Sequence, residues 1–98
     1  MEITKVKNGT SLEIQLSGRL DTTTSPALEA EVKASLEGVT DLTFDFTKLD
    51  YISSAGLRVL LSAQKSMSKQ GTMVIKNVCS DIMEVFEITG FADILSIE

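Results

Sequence analysis

DLTFDFTKLDYISSAGLRVLLSAQKSM, residues 41–67, changes its hydrophobic period halfway, and that change decides the fold. In the first half Leu42, Phe44 and Phe46 alternate with Thr43, Asp45 and Thr47, the two-residue period of a strand with one apolar and one polar face. In the second half Leu57, Leu60, Leu61, Gln64 and Met67 trace one face of a long helix that ends near Gly71. Leu49-Asp50-Tyr51-Ile52 joins them through Ser53-Ser54-Ala55-Gly56, so a strand runs almost directly into a helix.

Working outward, two strand-like runs, Glu2 to Lys7 and Ser11 to Ser17, flank Asn8-Gly9, a dipeptide suited to the left-handed conformations of a type I′ hairpin turn. Leu12, Ile14 and Leu16 alternate with Glu13, Gln15 and Ser17, and Gly18 is expected to end this strand. Ser25-Pro26 reads as a cap followed by proline at the first helical position, predicting a helix to about Leu36 with Leu28, Val32 and Leu36 inward and Gly38 as the stop. Beyond residue 71 the pattern predicts a strand from Met73 to Lys76. A helix then opens at Ser80-Asp81 with Ile82, Val85 and Phe86 on one side and stops at Gly90, and Ile94 to Ile97 adds a short strand.

The order hairpin, helix, strand, helix, strand, helix predicts an α/β single domain spanning residues 1–98. The hairpin is antiparallel and the helical crossovers are parallel, so the β-sheet is mixed. Clean alternation in two strands puts the helices mainly on one face of it, because strands covered on both faces read as continuous apolar runs. A chain of 98 residues with 43% hydrophobic and 23% charged residues supports one core.

Composition removes several classes of chemistry. With no histidine there is no Ser-His or Cys-His nucleophile pair and no imidazole metal site, so no enzyme is expected. One cysteine, Cys79, cannot form an internal disulfide or supply a structural zinc site, and is expected to be a small apolar filler. Asp41, Asp45 and Asp50 read as a solvated strand face rather than a cation site. No glycine-rich phosphate loop is present, and Ser66-Met67-Ser68-Lys69 matches S-x-x-K without its companion elements, so no nucleotide or other cofactor is expected. A formal charge of −5, with nine scattered Lys and Arg, disfavours nucleic acid and anionic membranes as partners. Lys65 and Lys69 are read as a solvated helix face. No signal peptide or apolar span is present, which predicts a cytoplasmic protein without direct membrane insertion. Asn8-Gly9-Thr10, a formal glycosylation sequon, is therefore read as a turn.

Ser53-Ser54 remains. It sits where a helix begins and where up to four backbone N–H groups lack intrahelical partners. One serine hydroxyl there serves as a cap. The same N–H groups and the positive end of the helix dipole also suit a phosphate, so a phosphorylated serine would alter the charge of an exposed patch without unfolding it.

Tyr51-Ile52-Ser53-Ser54-Ala55-Gly56-Leu57-Arg58, with Gly18-Arg19-Leu20-Asp21 upstream, resembles the D/S-S-S/T/A-G-L turn and supporting loop of the STAS domains, and within them the anti-sigma factor antagonists. The resemblance covers nearly the whole chain and implies the STAS fold. It implies that Ser54, the serine two residues before the glycine, is phosphorylated by an anti-sigma factor with serine kinase activity and restored by a serine phosphatase. The unphosphorylated form would bind the anti-sigma factor and release the sigma factor, and the ATP would belong to the partner. It further implies that Asp21 lies beside the Ser54 turn, where its carboxylate orders the turn or meets the hydroxyl. Ser53, Ala55, Gly56, Leu57 and Arg58 would complete the partner-binding surface. Many members carry Asp where this chain has Ser53, which leaves two adjacent hydroxyls as targets. The alternative is a constitutive, unphosphorylated STAS scaffold subunit of a membrane lipid-transport or signalling complex.

Overall fold

Three parallel or antiparallel pairings build the sheet. The computed structural model describes residues 1–98. Strands β1 (Glu2–Asn8), β2 (Ser11–Leu20), β3 (Asp41–Ile52) and β4 (Thr72–Lys76) lie in the order β1-β2-β3-β4. β1 and β2 pair antiparallel, while β2 with β3 and β3 with β4 pair parallel. Helix α1 (Ser25–Ser35) connects β2 to β3, and helix α2 (Ser54–Met67) connects β3 to β4. Helix α3 (Ser80–Thr89) and a 3-10 turn at Phe91–Asp93 follow.

The alternation read from the sequence places Leu12, Ile14, Leu16, Leu42, Phe44, Phe46, Met73 and Ile75 in the core. Their alternates Glu13, Gln15, Thr43, Asp45 and Val74 form a face that no helix covers, and they are half-buried or exposed. Leu28 and Val32 of α1, Leu57 and Leu60 of α2, and Ile82 and Phe86 of α3 close the other face. Phe44, Phe46 and Phe86 form its aromatic centre, with centroids 6.2 Å apart for the first pair and 6.5 Å for the second. Burying each such side chain contributes roughly 1.5–3 kcal/mol.

Strand β3 is much longer than its alternating stretch. Against β2 its register jumps twice, from Gln15↔Asp45 to Ser17↔Lys48 and from Gly18↔Leu49 to Arg19↔Tyr51. Each jump inserts one extra residue, a β-bulge, so inward positions after Phe46 fall at Leu49 and Ile52. The first bulge is braced by Asp45, whose carboxylate accepts the Thr47 amide at 2.9 Å, the Thr47 hydroxyl and the Asn77 side-chain amide at 3.1 Å. Those bonds, the Thr47 hydroxyl foremost, hold its carboxyl below the usual carboxylate range.

Several local expectations are corrected. The register Asn8↔Ser11 makes Gly9-Thr10 the two-residue loop, and only Gly9 has positive φ, at 64°, the requirement of a II′ rather than a I′ turn. Gly18 does not end β2 but sits within it at φ 100°, beside the second bulge, and the strand continues to Leu20. Ser25 is the first helical residue of α1 and not its cap, a position held by Thr24. Helix α2 stops at Met67, four residues before Gly71. The final segment contributes the 3-10 turn and a single parallel bridge, Ile75↔Ile97, in place of a strand. Cys79 is exposed, at the cap position of α3, and fills no core space.

Candidate functional site

The two crossovers leave the sheet at neighbouring points, because Leu20 at the end of β2 pairs with Ile52 at the end of β3. The Ser53 amide donates to the Leu20 carbonyl at 2.9 Å, tying the turn before α2 to the turn before α1. Ser53 is extended, with φ −101° and ψ 176°, and its carbonyl accepts the Leu57 amide at 3.0 Å to open α2. Ser54, Ala55 and Gly56 are thus the first-turn residues whose amides have no backbone acceptor.

The two serine hydroxyls differ. The expected cap is absent: Ser53 holds the cap position, yet its side chain makes no capping bond, and its Oγ is buried without a partner. Ser54 is exposed on the first turn of α2. Leu57 drops into the core at 5% exposure, which fixes the helix phase so that Ser54 and Arg58, four residues apart, share the outer side. Arg58 leans back toward the helix start, its Nε 3.5 Å from the Ser54 carbonyl.

Gly56 is buried, and a Cβ there would fall 2.7 Å from Leu20 Cγ and 2.9 Å from Ile52 Cγ1. Only glycine lets α2 begin this close to the strand ends. Ala55 is half-buried beside it and, with Pro26, Glu29, Arg58 and Val59, lines a shallow groove between the starts of α1 and α2.

Asp21 lies one residue beyond the Leu20 carbonyl that holds Ser53, but its carboxylate does not meet the Ser54 hydroxyl. Oδ1 instead accepts the Thr23 hydroxyl at 2.7 Å and the amides of Thr23 and Thr24 at 3.0 and 3.1 Å. These bonds, the Thr23 hydroxyl foremost, keep the Asp21 carboxyl below its ordinary value. The Thr24 hydroxyl accepts the Asp21 amide and donates to the Arg19 carbonyl, both at 2.8 Å. Asp21 therefore orders its own loop, and through Leu20 the backbone on which Ser53 rests.

Arg19 and Tyr51 join this surface, although sequence reasoning assigned them no role. The Arg19 guanidinium lies 4.0 Å from the centroid of the Tyr51 ring, and its Nε is 3.9 Å from the Asp21 carboxylate. Their facing depends on the second bulge, which pairs Arg19 with Tyr51 instead of Asp50. Elsewhere, Asp41 bonds to Ser11, Thr40 and Thr72, and no three potential metal ligands converge in the chain.

Comparison with known proteins agrees with this fold. A family model described as the STAS domain matches residues 2–98. BtrV of Bordetella bronchiseptica is 37% identical over 99% of this chain and 85% of its own length. The anti-sigma-B factor antagonist of Listeria monocytogenes is 32% identical over 96% of this chain and 84% of its own. Among solved structures, the anti-sigma factor antagonist SpoIIAA in its unphosphorylated form superposes with a TM-score of 0.78 at 18% identity, covering 99% of this chain and 87% of that one. The same fold is seen in the phosphorylated form of the Bacillus protein, with a TM-score of 0.77 at 18% identity over 99% of this chain and 91% of that one.

Proposed function

The chain belongs to the STAS domain family, and on that premise we propose that it is an anti-sigma factor antagonist, a protein that acts by binding rather than by turnover. Its unphosphorylated form binds an anti-sigma factor and frees the sigma factor. Ser54 is the switch, because it is the exposed hydroxyl on the first turn of α2 while Ser53 Oγ is buried. The anti-sigma factor is also the kinase: the terminal phosphoryl group of its ATP passes to Ser54 Oγ, with ADP and the hydroxyl proton released. A serine phosphatase reverses this with water, yielding inorganic phosphate. No helix is long and apolar enough to cross a membrane. An anti-sigma factor partner would set the protein in the cytoplasm.

Asp21, Ser53, Ala55, Gly56, Leu57 and Arg58 support that switch in different ways. Gly56 and Leu57 seat α2, Asp21 and Ser53 shape the two turns, and Ala55 and Arg58 meet the partner. A phosphate adds about −1.5 to −2 charges here, enough to abolish a contact through repulsion and desolvation.

Incubation with the kinase partner and ATP should add one phosphate, localised to Ser54 by mass spectrometry and lost in Ser54→Ala. Ser54→Asp should weaken anti-sigma factor binding by roughly tenfold or more, about 1.4 kcal/mol, while Ser54→Ala retains it. Equal affinities for the two variants would remove the charge switch. Stable co-purification with a transport ATPase, and no phosphate, would instead favour the constitutive scaffold.

A further inference from the structure

We propose that Arg58 is an intramolecular clamp for the phosphate on Ser54, so that phosphorylation withdraws a guanidinium from the partner-facing surface as well as adding negative charge. This rests on the reading of Ser54 as the phosphoacceptor. The two residues are one turn apart on the same side of α2, a spacing that brings side chains within contact. Arg58 is already folded toward the helix start, with its Nε 3.5 Å from the Ser54 carbonyl. It forms no ion pair, whereas Arg19 lies near Asp21 and over Tyr51, and Lys33 pairs with Glu29 at 2.9 Å.

Two negative groups nearby are otherwise engaged. Glu29, which lines the same groove as Arg58, is bound to Lys33. The Asp21 carboxylate is taken up by Thr23 and Thr24. Asp50 is exposed on the second bulge of β3. A phosphate on Ser54 Oγ would be the strongest anion within reach of a guanidinium that has planar donors to offer and no ion-pair partner. In the unphosphorylated chain Arg58 is exposed and held only by its contact with the Ser54 carbonyl, so an acidic partner group can draw it away; a phosphate on Ser54 would hold it in place.

The test uses the full chain made by chemical synthesis with phosphoserine at position 54, so that it does not depend on any kinase. Titration followed by phosphorus NMR gives the second pKa of the phosphate, ordinarily about 6. The clamp should lower it by roughly 0.2 to 0.7 unit relative to Arg58→Gln, the shift equivalent to an exposed ion pair. Arg58→Lys should keep at least about half of that lowering, and raised salt should diminish it. Identical titrations of the unsubstituted and Arg58→Gln phosphoproteins, or an Arg58→Lys chain that titrates like Arg58→Gln, would overturn the clamp. A kinase that leaves Ser54 unmodified would overturn the phosphoacceptor reading instead, by a separate measurement.

Discussion

Two turns leave the same end of the sheet side by side, and they treat their hydrogen-bonding groups in opposite ways. Before α1, the side chains of Asp21, Thr23, Thr24 and Ser25 all bond within the loop, with the Ser25 hydroxyl donating to the Asp21 carbonyl. Before α2, Ser53 makes no side-chain bond, and the first-turn amides of Ser54, Ala55 and Gly56 have no backbone acceptor. The backbone bond from Ser53 to Leu20 joins them, so the saturated turn serves as a rigid footing for the open one.

The largest effect should come from removing the close approach that makes the open turn possible. Gly56→Val places new carbon atoms against Leu20 and Ile52, where even a Cβ falls inside contact distance. Overpacking of this kind costs about 2–3 kcal/mol, measurable as a lower urea midpoint. A Gly56→Val chain as stable as the unsubstituted one would mean that the start of α2 is not pinned to the strand ends, and the comparison would lose its geometric basis.

Of the two turns, acidification should act on the saturated one. The folded-state pKa of Asp21 lies below its ordinary value of 3.8, so its contribution to stability is fully present above that value. It is lost as the pH falls from there through the folded-state value. Asp45 is depressed in the same direction at the first bulge, so the unsubstituted chain carries both contributions. Asp21→Asn should flatten part of the acid limb in denaturation measured across pH 5 to roughly 2, leaving the Asp45 part. An unchanged acid limb would show that the Asp21 bonds do not discriminate between folded and unfolded chains.

Much of this arrangement was legible in residues 41–67. The alternation through Phe46 and the helical spacing from Leu57 were enough to predict β3, α2 and the serine turn between them. What escaped depends on irregular backbone and on neighbours distant in sequence. Two bulges carry β3 on to Ile52 after its alternation fails, and a period count has no means of seeing an extra residue. The pairing of Arg19 with Tyr51 follows from that shifted register. Ser25, a serine before proline, reads as a cap, yet the helix begins one residue earlier and Ser25 is buried at 3% exposure. The same rule placed a hydroxyl cap before α2, where the position is correct and the bond is missing.

That missing bond yields the smallest predicted effect and the sharpest one. A serine that caps a helix through its side chain typically loses about 1 kcal/mol on replacement by alanine. Ser53 Oγ accepts no helix amide, and it is buried without any partner, so its hydroxyl carries an uncompensated desolvation cost. Deleting it removes that cost while leaving the backbone bonds of Ser53 to Leu20 and Leu57 in place. Ser53→Ala should therefore change stability by less than about 0.5 kcal/mol, or raise it slightly, in urea denaturation. A loss near 1 kcal/mol would mean that the hydroxyl does cap α2 in solution. The two turns would then differ in degree only, and Ser53 would compete with any phosphate on Ser54 for the amides of Ala55 and Gly56.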